Sequence, residues 1–125
     1  MRRRGIYLGA FLLAAALPAL ASAGGRTTIP AGYHGDWASS AERCAPGPAD
    51  NENIRISARV IWEFEMRWDV RSITRIKKDE IVVGGRVTHG EATYDNGMRL
   101  GLLKGGKELA VGEGEDFGVY VRCKL

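Results

Sequence analysis

At 125 residues, with 45% hydrophobic and 26% charged side chains, the chain is long enough for one domain and short for two. Its net charge of +3 comes from Arg2, Arg3 and Arg4; the other basic residues balance the 15 acidic ones. A balanced domain makes no global electrostatic case for nucleic acid or an anionic membrane surface.

Arg2 to Arg4 form a positive n-region, Ile6 to Leu17 an apolar h-region, and Ala21-Ser22-Ala23 a small-x-small cleavage site. Residues 1–23 therefore read as a signal peptide. The apolar run is too short to span a membrane, and nothing later is a candidate. The expected product, 24–125, is a single exported domain, periplasmic or secreted, with no membrane span.

Gly24 to Pro30 reads as a flexible lead, and a first strand is expected around Gly35-Asp36-Trp37. Ala38 to Arg43 suits a helical turn, and Ala45 to Asn53 is a loop rich in Pro, Gly, Asp and Asn. The two cysteines, Cys44 and Cys123, read as a disulfide in an exported protein. That bridge would tie the early chain to the last strand.

The stretch from Ile54 to Val70 organises the rest. Its even positions, Ile54, Ile56, Ala58, Val60, Trp62, Phe64, Met66, Trp68 and Val70, are all apolar, and the odd ones are polar except Ile61. Such alternation means strand, with the even face expected inward. At roughly 3.3 Å per residue one strand would run about 55 Å, far beyond a domain of this size. The run must fold back, with breaks expected at Ser57-Ala58 and within Met66 to Asp69. The phase slips past Val70, which predicts a β-bulge near Ser72. Trp62, Phe64, Met66 and Trp68 are then candidates for packed core or for the wall of a ligand cavity.

Further on, Lys77-Lys78-Asp79 is a turn. Glu80 to Thr88 is a strand, with Ile81, Val83 and Val87 on one face and Gly85 interrupting it. His89-Gly90 is another turn. Asp95-Asn96-Gly97 is a hairpin signal, since Asn-Gly suits positive φ. Met98, Leu100 and Leu102 alternate next, Gly105-Gly106 marks a second hairpin, and Leu109 and Val111 face inward. Gly112 to Asp116 is an acidic turn, after which Phe117, Val119, Val121 and Cys123 alternate along the final strand. Eight or nine short strands with regular turn signals and no long helix predict an all-β antiparallel meander. A closed barrel of about eight strands is expected over a sandwich, because closure removes both edges.

Gly35-Asp36-Trp37 resembles the G-x-W motif that opens the first strand of lipocalins, small barrels carrying apolar ligands. In that family an Arg from the last strand packs against the Trp at the closed end, a part that Arg122 alone can take here. The chain also resembles the bacterial periplasmic metalloprotease inhibitors, exported barrels of similar length with a G-x-W start and one disulfide. That likeness implies an N-terminal arm, here Gly24 to Pro30, inserted into a protease cleft.

No catalytic constellation stands out. Ser39, Ser40, Ser57 and Ser72 lack a signature pairing them with a base, and His34 and His89 read as turn residues. Glu113, Glu115 and Asp116, like Asp50, Glu52 and Asn53, lack the loop pattern of a dedicated Ca²⁺ site and read as solvated. No metal or cofactor is expected. The sequence leads to a non-enzymatic binding protein for a small apolar ligand or an envelope component. An inhibitor of a secreted enzyme and a pocketless structural protein are the alternatives, and the oligomeric state is left open.

Overall fold

The computed structural model describes residues 28–44 and 53–123. Eight strands follow one another: β1 Gly35–Ala38, β2 Ile54–Ile56, β3 Val60–Glu63, β4 Met66–Lys77, β5 Glu80–His89, β6 Ala92–Leu103, β7 Glu108–Glu113 and β8 Asp116–Arg122. They close a meander barrel in sequence order, every neighbouring pair antiparallel. Short 3-10 turns at Ala31–Tyr33, Ala41–Cys44 and Lys104–Gly106 complete the described residues. The signal peptide, its cleavage site, the first residues of the N-terminal lead and most of the 45–53 loop lie outside them.

The central run folds back twice, and each reversal changes the phase of its side chains. Ile56 pairs with Ile61 across the Ser57–Arg59 turn, so the inward positions pass from even to odd. The turn is held by backbone bonding of Ser57 N–H to Val60 O and by the Ser57 hydroxyl donating to the same carbonyl. Glu63 then pairs with Met66 around a two-residue hairpin, Phe64-Glu65, with Glu65 at φ 55°, and the phase returns to even. Cross-strand partners share a face, so β3 turns Ile61 and Glu63 inward and Trp62 outward. The second break lies at Phe64-Glu65, not within Met66 to Asp69.

The expected bulge is present: the β4–β5 register shifts between Val70 and Ser72, after which Ile73 is buried. Asp95-Asn96-Gly97 is not a turn. β6 runs straight through it, with Gly85 opposite Asn96 and Gly84 opposite Gly97. The glycines of this region serve close approach instead. A Cβ on Gly85 would lie 2.9 Å from the Asp69 carbonyl oxygen, and one on Gly84 would lie 2.5 Å from Ser72 Oγ. The last strand is also inverted relative to its apolar pattern. Tyr120 pairs with Leu109 and Gly118 with Val111, so Phe117 and Val119 point outward.

The interior gathers the apolar side chains into one buried cluster. Trp37, Ile54, Ile61, Trp68, Val83, Val87, Met98, Leu100 and Leu109 are almost wholly buried in one cluster with Ile29 and Tyr33. Ile29 is pinned there, its N–H bonded to Ala58 O, so the end of the N-terminal lead is part of the barrel. Cys44 and Cys123 form the expected disulfide, with Cα atoms 5.3 Å apart across 79 residues of sequence. No helix among the described residues is long and apolar enough to cross a membrane.

Candidate functional site

Because the strands form a meander, alternate connections fall at opposite ends of the barrel. The 57–59, 78–79 and 104–106 turns share one end with the 3-10 turn Ala31–Tyr33; the Phe64-Glu65, Gly90-Glu91 and Gly114-Glu115 turns share the other.

The first end is closed by the residues that carry the lipocalin resemblance. The Arg122 guanidinium lies 4.2 Å from the Trp37 ring centroid. It donates to Gly106 O at 3.0 Å, His34 O at 2.8 Å and Gly32 O at 2.7 Å. The Trp37 indole N–H donates to Tyr33 O at 3.0 Å. Gly35 sits at φ 127°, where a Cβ would come 3.2 Å from Arg122 Nη1. Gly35, Trp37 and Arg122 thus meet in one plug, and its polar atoms are engaged within the fold.

At the other end, the mouth, the carboxyl groups of Glu63 on β3 and Glu113 on β7 are electrostatic neighbours. Glu63 Oε1 also accepts the Trp68 indole N–H at 3.0 Å. The Glu113 carboxyl is pushed up to about 7, first by desolvation, then by the charge and hydrogen bond of Glu63, and last by the charge of Asp116. Around this pair, the Tyr94 hydroxyl reaches Met66 Sδ at 3.8 Å, and His89 Nε2 lies 3.8 Å from Glu65 Oε1.

The four aromatic and Met candidates for a ligand-cavity wall are divided by the two phase changes. Met66 and Trp68 face inward, Trp68 with no exposed surface. Trp62 is 39% exposed on the outer face, with the Arg67 guanidinium 5.7 Å from its ring centroid, and Phe64 is 47% exposed in the hairpin. They do not form one wall.

A concavity lies on the outside of the barrel. A groove of about 460 Å³ runs over the outer face of β6, β7 and β8, floored by Gly101, Ala110 and Gly112 and flanked by Leu103, Arg99 and Phe117. A second hollow of about 320 Å³ continues it past Gly97, Gly112 and Phe117 to the Gly114-Glu115 turn. Phe117 is 70% exposed. Small residues on one outer face make the trough, since nothing there projects to fill it.

The sequence reading missed both features. Glu113 reads as a solvated turn residue in the sequence, yet it is partly buried, with Glu63 as a charged neighbour. The usable signal was Ile61, the one apolar odd position of the central run, which marks the strand on which odd residues, Glu63 included, face inward. Phe117 was legible as apolar but not as outward. Among the described residues no three His, Cys, Asp or Glu side chains gather closely enough to hold a metal. Comparison with family models, with curated proteins and with solved structures finds no match to this chain.

Proposed function

We propose that this chain is an exported, non-enzymatic binding barrel of lipocalin-like build that recognises an envelope or secreted protein through the outer face of β6, β7 and β8. The observation that carries this reading is the exposed Phe117 beside a small-residue groove, while the inward-facing apolar side chains are buried together in one cluster. An exposed aromatic side chain beside a concave floor supports a recognition surface, because aromatic anchors seated in pockets carry much of the energy of protein interfaces. Export is supported by the leader pattern of residues 1–23 and by the disulfide. The pinning of Ile29 weighs against an inhibitory arm extending as far as Pro30.

The test is photo-crosslinking in cells that export the full chain, with a photoreactive residue in place of Phe117. A discrete protein adduct is expected at position 117 and none at position 74, which is exposed on the opposite wall. Equal labelling at both positions would overturn the surface reading. A lipophile retained by the purified protein in native mass spectrometry would replace it with the small-ligand reading.

A further inference from the structure

We propose that the free edge of β6 from Thr93 to Gly97 is a strand-addition site, which takes an extended, basic segment of another protein antiparallel to β6. β5 flanks β6 from Ala92, opposite His89, to Gly101, opposite Glu80, whereas β7 flanks it only from Arg99 to Leu103. Residues 92–97 therefore stand beyond the β7–β8 turn with strand on one side, and each of them is exposed.

Along a strand, the N–H and C=O groups of successive residues point to opposite sides. Leu102 N–H bonds to Asp79 O at 2.8 Å, on the β5 side, so the even residues of β6 serve β5 and the odd ones face β7. Before Arg99 there is no β7 to face. Thr93 and Asp95 thus turn their backbone donors and acceptors away from the sheet, with no strand beside them among the described residues. Gly97 N–H, on the same side, is met by its neighbour's side chain: Asn96 Oδ1 accepts it at 2.8 Å. Such an open edge is a template for one more strand.

Charge says what kind of segment fits. Asp95 projects outward with its side chain 81% exposed, and pairs with Arg86 on β5 at 3.0 Å. At one end of the edge, Glu115 and Asp116 share the hollow of about 320 Å³ with Gly97; at the other stands Glu91, exposed in the β5–β6 turn. Arg99, two residues beyond Gly97, is held by Glu80 at 3.3 Å. A guest with lysine or arginine on its outer face meets this acidic line, and the position opposite Asp95 favours a cation. A second copy of β6 is disfavoured, since two-fold pairing about Asp95 sets its carboxylate against its own copy. The guest continues the course of β7, and five residues of edge at about 3.4 Å each give it roughly 17 Å. The edge recognises backbone and stands whether or not Phe117 anchors anything.

The probe is a blocked heptapeptide alternating valine with lysine, titrated to millimolar concentration into the ¹⁵N-labelled full-length protein at low salt. Exchange of the Thr93 and Asp95 amides should slow on binding, while Tyr94 and Asn96, already bonded to β5, change little. Methylating the lysine backbone nitrogens removes the donors that would face β6 and should weaken binding by about tenfold or more. Thr93→Pro removes an N–H that the barrel does not use and should do the same; the methylated peptide makes the same test on the unaltered protein. Asp95→Asn should weaken binding by about two- to fivefold. No change at Thr93 and Asp95, equal binding of the methylated peptide, or equal binding of a peptide with glutamate in place of lysine would overturn the proposal. Protection of these amides that grows with protein concentration alone would also overturn it, by assigning the edge to a second copy. Shifts confined to the surroundings of Phe117 would overturn it and leave the outer-face reading standing.

Discussion

The guanidinium of Arg122 covers the ring of Trp37 at 4.2 Å and ties the last strand to the chain that enters the first. Its three donated bonds end on the carbonyls of Gly32, His34 and Gly106, which come from two different chain segments. Replacing Arg122 with Met keeps bulk over the indole but strands those carbonyls, and should cost about 2–4 kcal/mol in urea unfolding. Arg122→Lys should recover only part of this, because an ammonium cannot reproduce the planar fork. A variant within about 0.5 kcal/mol of wild type would mean that the plug does not depend on the arginine.

Trp62 and Trp68 look equivalent in the alternating run, yet one is outside the barrel and the other at its heart. Trp68→Ala should destabilise the fold by about 3–5 kcal/mol, and Trp62→Ala by under about 1 kcal/mol. Iodide should quench Trp62 and leave Trp37 and Trp68 dark to it. Equally large losses at both positions, with neither indole quenched, would restore the inward even face along the whole stretch.

This contrast shows how far the sequence could be read. The strands, the meander order, the disulfide and the bulge by Ser72 follow from local signals: alternation, turn residues and a phase slip. What local signals do not carry is the parity of each connection. A turn that pairs Ile56 with Ile61 inverts the faces while the letters keep alternating, so Trp62 passes for core and Glu63 for surface. Asn96-Gly97 misleads for a related reason. It lies in mid-strand opposite Gly84 and Gly85, the glycines that approach Ser72 and Asp69, and that pairing is set by register rather than by the Asn-Gly letters. The outer groove depends on Gly101, Ala110 and Gly112 lining up across strands, which only the register determines.

The Cys44–Cys123 bridge closes a loop of 79 residues between a 3-10 turn and the end of β8. Its loss removes a constraint on the unfolded chain worth about 4 kcal/mol in the chain-entropy account. Cys44→Ser with Cys123→Ser, or reduction of the wild type, should lower the urea midpoint clearly, and reductant should have no effect on the double variant. An unchanged midpoint after complete reduction would contradict this.

Tyr33 Oη is buried with no hydrogen-bond partner among the described residues, and burial is the main cause of the upward shift of its phenol. Removing a hydroxyl that satisfies nothing should be harmless or helpful. Tyr33→Phe is expected to leave stability unchanged or raise it by up to about 1 kcal/mol. A loss above about 1 kcal/mol would show that the hydroxyl has a partner after all.

Glu113 makes global stability depend on pH in the direction opposite to an ion-paired carboxylate. Its folded value, about 7, lies above the ordinary 4.5, so between these values the folded protein binds more protons than the unfolded chain. The contribution is complete below about 4.5 and is lost as pH rises through about 7. A full shift of this size would correspond to about 3 kcal/mol in a dry site; partial exposure of the side chain reduces the expectation to roughly 1–2 kcal/mol. Glu113→Gln keeps the shape and a donor but cannot ionise, so its stability relative to wild type should improve by that amount between pH 4.5 and pH 8. If the difference between the two unfolding free energies is the same at both pH values, Glu113 carries its charge as readily in the barrel as in water.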